Sequence, residues 1–170
     1  MDITVVSDKL VRFGEREFAC AIGKAGFVAA EQKKEGDHKT PIGKFALRQC
    51  LYRADRVDKP KTHLATRVLR PEDGWCDAPL DKAYNTHVIL PYDARHERLW
   101  RAEAVYDVIV PLGYNDAPVV AGAGSAIFMH VAKPDYAGTE GCVALKLEDL
   151  LWVLENITPE TAIDIAPQGA

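Results

Sequence analysis

The chain has 170 residues, of which 48% are hydrophobic and 27% charged, a composition typical of one globular domain with a substantial core. Its 25 acidic side chains outnumber its 21 basic ones, which argues against a protein that binds nucleic acid through phosphate contacts. No stretch approaches the roughly 18 apolar residues that a membrane-spanning helix needs. We therefore expect a single domain over residues 1–170.

The N-terminal segment does not have the pattern of a signal peptide. Its second residue is acidic, and charges interrupt every apolar run of MDITVVSDKLVRFGEREFACAIG. A signal peptide begins with basic residues, continues with roughly 7 to 15 apolar ones and ends at a small-residue cleavage site. We expect a cytoplasmic bacterial protein, and a periplasmic one only if a leader has been removed.

Most periodic segments are short and strand-like, being rich in β-branched and aromatic residues and bounded by Gly, Pro, Asn or Asp. In chain order they are DITVVS (2–7), REFACAIG (16–23), GKFALRQCLYR (43–53), THVILPY (86–92), YDVIVPLGY (106–114), SAIFMHVA (125–132) and TAIDIA (161–166). The segment KLEDLLWVLENI (146–157) has leucines at helical spacing and predicts a helix. The sequence thus predicts a mainly β fold with one helix near its C-terminal end.

The four cysteines are scattered along the chain, at Cys20, Cys50, Cys76 and Cys142. Disulfide frameworks are typical of small secreted domains, and zinc sites usually show paired ligands at C-x-x-C or H-x-x-x-H spacing. Neither pattern is present, so we expect no disulfide framework and no metal site. Cys76, beside Trp75 in DGWCDAP, is expected to be a buried thiol in a turn.

The stretch AIFMHVAKPDYAGTEGCVAL (126–145) places His130 near the end of an apolar strand and Cys142 after a polar loop. Spacing alone leaves three interpretations open: a core histidine with a buried thiol, two metal ligands, or a nucleophile with its base. The third has a chemical rationale, since a neighbouring histidine activates a thiol and later protonates the leaving group. Gly141 fits such a site because a missing Cβ lets a substrate approach the backbone.

HVAKPDYAGTEGCVAL (130–145) resembles the catalytic signature of the L,D-transpeptidase (YkuD-like) family, a histidine followed by a loop and [S/T]-x-G-C. The segment 23–47 is also similar to the family, with T-P-x-G at Thr40, Pro41 and Gly43. The resemblance runs from about Gly23 to Thr161. It implies a two-sheet, sandwich- or barrel-like β fold with the helix after the catalytic strand.

The resemblance also implies roles for individual residues. Cys142 matches the nucleophile and His130 the base, with the backbone carbonyl of Val131 as the acceptor that orients the imidazole. Gly141 and Cys142 would supply amide donors to an oxyanion. Thr139 begins the T-x-G-C turn and would shape the pocket. The family is metal-independent, so neither a metal nor another cofactor is implied.

One position departs from the family pattern. Family members commonly carry arginine two positions after the cysteine, where this chain has Ala144. The charge that meets a substrate carboxylate would then come from elsewhere, and the candidates are Arg48, Arg53, Arg56 and Arg101. We predict Thr139, Tyr136 and Arg53 as substrate-binding residues, with Tyr136 lining the acyl-donor groove from the loop.

The implied reaction is thiol acyl transfer on a muropeptide or peptidoglycan stem peptide, cleaving the L,D bond before a terminal D-alanine. With water as the second nucleophile the enzyme is an L,D-carboxypeptidase in wall recycling, which we favour for a chain with no evident leader and with Ala144. With an amine it is a transpeptidase that forms 3→3 crosslinks. A catalytically silent muropeptide-binding domain and a metal-dependent hydrolase using Cys and His as ligands are the alternatives from other classes.

Overall fold

The computed structural model of the chain describes residues 1–167 and shows a mainly β fold. Within these residues there are fourteen strands and one α-helix, α1 (Leu147–Asn156), together with two short 3₁₀ turns. The strands are β1 (Ile3–Ser7), β2 (Leu10–Phe13), β3 (Arg16–Ala21), β4 (Phe27–Ala29), β5 (Thr40–Ala46), β6 (Cys50–Tyr52), β7 (Thr66–Val68), β8 (Asp73–Cys76), β9 (His87–Ile89), β10 (His96–Arg98), β11 (Val108–Pro111), β12 (Phe128–Val131), β13 (Val143–Leu145) and β14 (Ala162–Ile165). The mainly β fold with one helix near the C-terminal end is confirmed.

The strands form two sheets. The larger has eleven strands in the order β4-β5-β14-β1-β2-β3-β13-β12-β11-β6-β7, and the smaller has three in the order β10-β8-β9. The first and last strands of the chain are parallel neighbours, with Ile3 opposite Ile163. At the centre of the large sheet, β12 and β13 are also parallel, whereas β13 pairs with β3 antiparallel.

The large sheet covers α1 with one of its faces. Leu150, Val153 and Leu154 point from the helix into a core to which strands from both halves of the sheet contribute, and we call it the helix core. Trp152 lies over the ring of Phe18, with the centroids 5.6 Å apart. The leucine spacing read from the sequence therefore marks the buried side of the helix. No helix within residues 1–167 is long and apolar enough to cross a membrane.

The opposite face of the central strands packs against the region of the small sheet. The side chains that form this second core are Leu51, Leu69, Leu99, Tyr106, Ile109, Phe128 and Cys142. Because strand residues alternate between faces, β12 sends Met129 and Val131 into the helix core and Phe128 into the second core. His130, between Met129 and Val131, is on the Phe128 side.

Two local predictions were wrong. The segment 43–53 is not one strand, because β5 pairs with β14 while β6 pairs with β11, elsewhere in the large sheet. Cys76 lies in strand β8 rather than in a turn, with His96 of β10 opposite it. Both errors involve short strands whose pairing partners are distant in sequence, which local patterns do not reveal.

Asp73 of β8 connects the small sheet to the edge strand β7 of the large sheet. Its side chain is 1% exposed, and it accepts hydrogen bonds from Arg70 N (2.7 Å), Arg67 Nη1 (3.1 Å) and His87 Nε2 (2.6 Å). Burial by itself would raise the pKa of this carboxyl, but the hydrogen bonds from Arg70, His87 and Arg67 outweigh it and the pKa is lowered. The stabilisation is therefore present above the unfolded-state pKa and is lost as the pH falls through the lower folded-state value.

We predict that Asp73→Ala lowers the free energy of unfolding by about 1–3 kcal/mol, because it leaves polar groups at a buried position without their acceptor. Urea unfolding at pH 7 measures the change. Asp58, on the exposed surface, is the matched control, and Asp58→Ala should change stability by less than about 0.5 kcal/mol. Equal effects of the two substitutions would contradict the anchoring role of Asp73.

Candidate active site

The central strands place Cys142 and His130 on the same face of the large sheet. In the parallel pair β12–β13, His130 lies opposite Ala144, and Cys142 is two residues before Ala144. Two residues along a strand return to the same face, so the thiol and the imidazole lie diagonally on adjacent strands. Both line one cavity of about 440 Å³. The structure thus brings together the two residues singled out in the sequence.

Backbone groups at the start of β12 and just before it hold the thiol in place. Cys142 Sγ donates to Ala126 O at 3.2 Å and accepts from Phe128 N at 3.4 Å. Only 5% of Cys142 is exposed, and this burial raises the pKa of its thiol to about 12, with the nearby Glu97 acting in the same direction. The Phe128 amide acts in the opposite direction, since it favours the thiolate. The raised pKa favours the protonated thiol at neutral pH.

The imidazole of His130 is also neutral. Burial lowers its pKa to about 4 and outweighs the carbonyls of Val131 and Val105, which favour the protonated ring. His130 Nδ1 lies 2.9 Å from Val131 O, the contact that the family resemblance implied. A neutral ring that donates from Nδ1 carries its lone pair on Nε2. The Tyr106 ring meets the imidazole edge-on, with the centroids 5.3 Å apart.

The turn before Cys142 is fixed by two threonine hydroxyls. Thr139 Oγ1 donates to Cys142 O (2.7 Å) and accepts from Gly141 N (3.1 Å), while the buried Thr40 donates to Gly141 O (2.9 Å). Gly141 has φ +139°, and a Cβ there would lie 2.9 Å from Lys39 O, so this position requires glycine. Because its amide is already bonded to Thr139, Gly141 does not have a free oxyanion donor, and the Cys142 amide becomes the candidate.

The three predicted substrate-binding residues lie in different places. Thr139 lines the cavity, although its hydroxyl is used within the turn. Tyr136, with φ +52°, lines a separate surface depression with residues 8–9, 19–24 and 26. Arg53 does not line the cavity: its guanidinium is buried, pairs with Asp55 through two hydrogen bonds, and stacks 3.5 Å from the Trp100 ring.

Arg101 is the one of the four candidate arginines that lines the cavity. Arg48 pairs with Asp116, and Arg56 pairs with Asp107, both away from the cavity. Ala144 is buried opposite His130 and borders the same cavity, so an arginine at this position would enter the space beside the imidazole. A cation is therefore present near the thiol, but it comes from the segment after β10 rather than from β13.

Sequence reasoning missed Asn85, which ties three segments together behind the thiol. Asn85 Oδ1 accepts from Ala126 N and Trp75 Nε1, both at 3.0 Å, and Nδ2 donates to Tyr114 O and Asn115 O. Ala126, whose carbonyl accepts the hydrogen bond from the Cys142 thiol, has φ +53°. This unfavourable conformation depends on the hydrogen bond from Ala126 N to Asn85. The sequence held no signal for Asn85, whereas Thr40 was visible as the first residue of T-P-x-G.

Within residues 1–167, no three His, Cys, Asp or Glu side chains are grouped so that they could hold a metal ion. All four cysteines are free and buried. The charged groups that line the cavity have both signs, and they are Lys33, Arg95, Arg101, Lys133, Glu35, Asp77, Glu97 and Glu140. The arrangement thus offers a thiol, a neutral imidazole and charges of both signs around one buried space.

Comparison with known proteins identifies relatives of this site. The family model YkuD, described as the L,D-transpeptidase catalytic domain, matches residues 3–165. Among solved structures, the chain is similar to the structure of Bdellovibrio bacteriovorus Bd1075, with 21% sequence identity and a TM-score of 0.45. The similarity covers 96% of this chain and 46% of that one, so this chain spans less than half of its length. No curated protein matches the chain significantly.

We predict that alkylation of Cys142 by iodoacetamide accelerates by roughly tenfold per pH unit between pH 7 and 10, because the thiolate fraction of a protonated thiol rises by that factor. Peptide mapping by mass spectrometry gives the rate at each cysteine. Cys50 and Cys76 are fully buried and do not line the cavity, so they should react more slowly than Cys142. A rate that is already constant from pH 5 to 8 would indicate a preformed thiolate–imidazolium pair instead.

Proposed function

The chain belongs to the L,D-transpeptidase catalytic domain family, and from this membership we propose that it cleaves peptidoglycan stem peptides with Cys142 as the nucleophile. The observation that carries the proposal is that Cys142 and His130 share one face of β12 and β13 and line the same cavity. Within the family, the finer proposal is an L,D-carboxypeptidase that converts a tetrapeptide stem to a tripeptide and D-alanine.

In the first step, Cys142 Sγ attacks the carbonyl carbon of the L-centre that precedes D-alanine, and the thiol proton moves to His130 Nε2. We propose that the proton moves as the sulfur attacks, because the thiol and the imidazole are both neutral before the reaction. The imidazolium that forms is stabilised by the carbonyls of Val131 and Val105, which favour the protonated ring. The Cys142 amide is the donor that we assign to the developing oxyanion.

In the second step, the carbon–nitrogen bond breaks, His130 protonates the departing amine of D-alanine, and a thioester to Cys142 remains. Water then attacks the thioester with His130 as the base, and the thiol is restored as the tripeptide carboxylate leaves. His130 therefore acts first as a base, then as an acid and then as a base again. These roles require that the pKa of His130 change as charge develops on the reacting groups beside it.

We favour water over an amine acceptor as the second nucleophile. A transpeptidase must position a second stem at the thioester, since orientation makes a bimolecular step effectively unimolecular. A second depression, lined among others by Asp135, Tyr136 and Gly138, borders neither Cys142 nor His130. Water needs no such groove. We therefore propose the carboxypeptidase rather than the crosslinking reaction.

The charges of the cavity fit a stem peptide. A tetrapeptide stem with meso-diaminopimelate carries several carboxylates and one free ammonium, and the cavity is lined by side chains of both signs. Lys33 is buried and is held by Asp37 at 2.6 Å, which fixes a positive charge at the wall of the cavity. Opposite charges at fixed positions favour a ligand that presents both.

We predict that the purified protein converts monomeric tetrapeptide to tripeptide and D-alanine, which mass spectrometry of the products detects directly. Pentapeptide, whose terminal bond joins two D-residues, should remain intact. Accumulation of 3→3 dimers with little tripeptide would overturn the carboxypeptidase in favour of the transpeptidase. Absence of any product, together with no covalent labelling by a carbapenem, would favour a silent muropeptide-binding domain.

We also predict that Cys142→Ala abolishes turnover and carbapenem labelling, and that His130→Ala lowers the rate by roughly 10²- to 10⁴-fold, as expected for loss of a general base. Steady-state kinetics with the tetrapeptide measure both. Cys76→Ala is the matched control: it should keep activity while costing roughly 1–3 kcal/mol of stability, since this thiol is fully buried. Wild-type turnover by Cys142→Ala would refute the thiol mechanism.

A further inference from the structure

Glu97 and Arg101 form an ion pair inside the cavity that the acyl-transfer steps do not use. Arg101 Nη2 lies 3.2 Å from Glu97 Oε1, and both residues line the cavity together with Cys142 and His130. Their side chains are 31% and 26% exposed, so the pair is enclosed yet reachable by a ligand. Two opposite charges thus meet beside the thiol, where neither is needed for proton transfer.

Neighbouring groups hold the pair in a fixed position. Tyr106 OH donates to Glu97 Oε2 at 2.9 Å, and the Arg101 guanidinium lies 4.3 Å from the centre of the Tyr106 ring. Arg101 Nε donates to Arg98 O at 3.1 Å, and this hydrogen bond fixes the orientation of the guanidinium. The same tyrosine ring contacts His130 edge-on. Tyr106 therefore links the ion pair to the imidazole, and the distance from pair to thiol is set by the fold.

A carboxylate next to a guanidinium is complementary to a group that carries an ammonium and a carboxylate on one carbon. The guanidinium fork binds a carboxylate through two parallel hydrogen bonds, and Glu97 accepts from an ammonium. A ligand with both charges can engage both residues, whereas a ligand with one charge can engage only one of them. The chemistry at this end of the cavity thus fits a free α-amino-acid head group.

We propose that Glu97 and Arg101 bind the free amino-acid end of the diamino acid in the acyl donor, and that they make the site selective for a diaminopimelate stem over a lysine stem. The inference rests on the proposed function, which places the L-centre of this residue at Cys142. The side chain of meso-diaminopimelate ends in a carbon with both an ammonium and a carboxylate. A lysine side chain ends in an ammonium alone.

This assignment accounts for Ala144. In family members an arginine at this position is expected to meet a substrate carboxylate, and here the space opposite His130 is left open by a methyl group. Arg101 brings its guanidinium into the same cavity from the segment that follows β10. With Glu97 beside Arg101, this part of the cavity can bind an ammonium as well as a carboxylate.

The test measures binding without turnover. Isothermal titration calorimetry with Cys142→Ala protein gives the dissociation constants of the diaminopimelate tetrapeptide and of the matching L-lysine tetrapeptide. We expect the first to bind at least tenfold more tightly. Adding Arg101→Gln should raise the dissociation constant of the diaminopimelate peptide by roughly 10- to 100-fold, as expected for loss of a charge-assisted bidentate contact. The dissociation constant of the lysine peptide should change by less than about twofold. Adding Glu97→Gln should raise the dissociation constants of both peptides, because both side chains carry the ammonium.

Arg98 provides the matched control, because it is exposed, lies three residues away and does not line the cavity. Arg98→Gln should leave both dissociation constants unchanged, and thermal unfolding of each variant reports whether it folds. Equal weakening of both peptides by Arg101→Gln, equal affinity of the two peptides, or no binding of the diaminopimelate peptide would each overturn the inference. Failure of the proposed function is a separate outcome, since it appears as absent turnover by the wild-type protein.

Discussion

The parallel pairing of β12 with β13 is the constraint on which the site depends. Parallel neighbours must be joined by a connection that runs back along the sheet, and here the loop 132–142 makes that return without a helix. The register sets His130 opposite Ala144, and strand alternation then puts Cys142 on the same face. A shift of one residue would move one of the two side chains to the helix core and separate them.

Burial decides the protonation states at the site. The same enclosure raises the pKa of the Cys142 thiol and lowers that of the His130 imidazole, so the neutral forms of both groups are favoured. Fixed backbone groups oppose this tendency at both residues: the Phe128 amide at the sulfur, and the Val131 and Val105 carbonyls at the ring. The fold thus holds a neutral pair whose charged form is already surrounded by suitable dipoles.

The small sheet packs against the large one and also carries a charged residue that lines the cavity. Asp73 of β8 joins the small sheet to the large sheet through hydrogen bonds from His87 of β9 and from Arg67 of the edge strand β7, and β10 carries Glu97 to the wall of the cavity. The large sheet supplies the imidazole and positions the thiol, while β10 and the segment after it supply the ion pair of Glu97 and Arg101. In our proposals, the first set of groups performs the reaction and the second selects the substrate, so specificity can change without altering the acyl-transfer groups.

The sequence by itself determined the mainly β class, the helix 147–156, the family and the two residues we propose for catalysis. These depend on local features: leucine periodicity, and motifs such as T-E-G-C and T-P-I-G whose residues are close together in the chain. Only the tertiary structure decided that Arg101 rather than Arg53 reaches the cavity, that Gly141 uses its amide within the turn, and that Asn85 supports Ala126. The positions of Arg101 and Asn85 depend on contacts between segments far apart in sequence, and one arginine looks like another until packing sets which side chain is buried against Trp100 and which lines the cavity with the thiol. The Gly141 amide bonds Thr139 only two residues away, and its use follows from the conformation that the turn adopts in the folded chain.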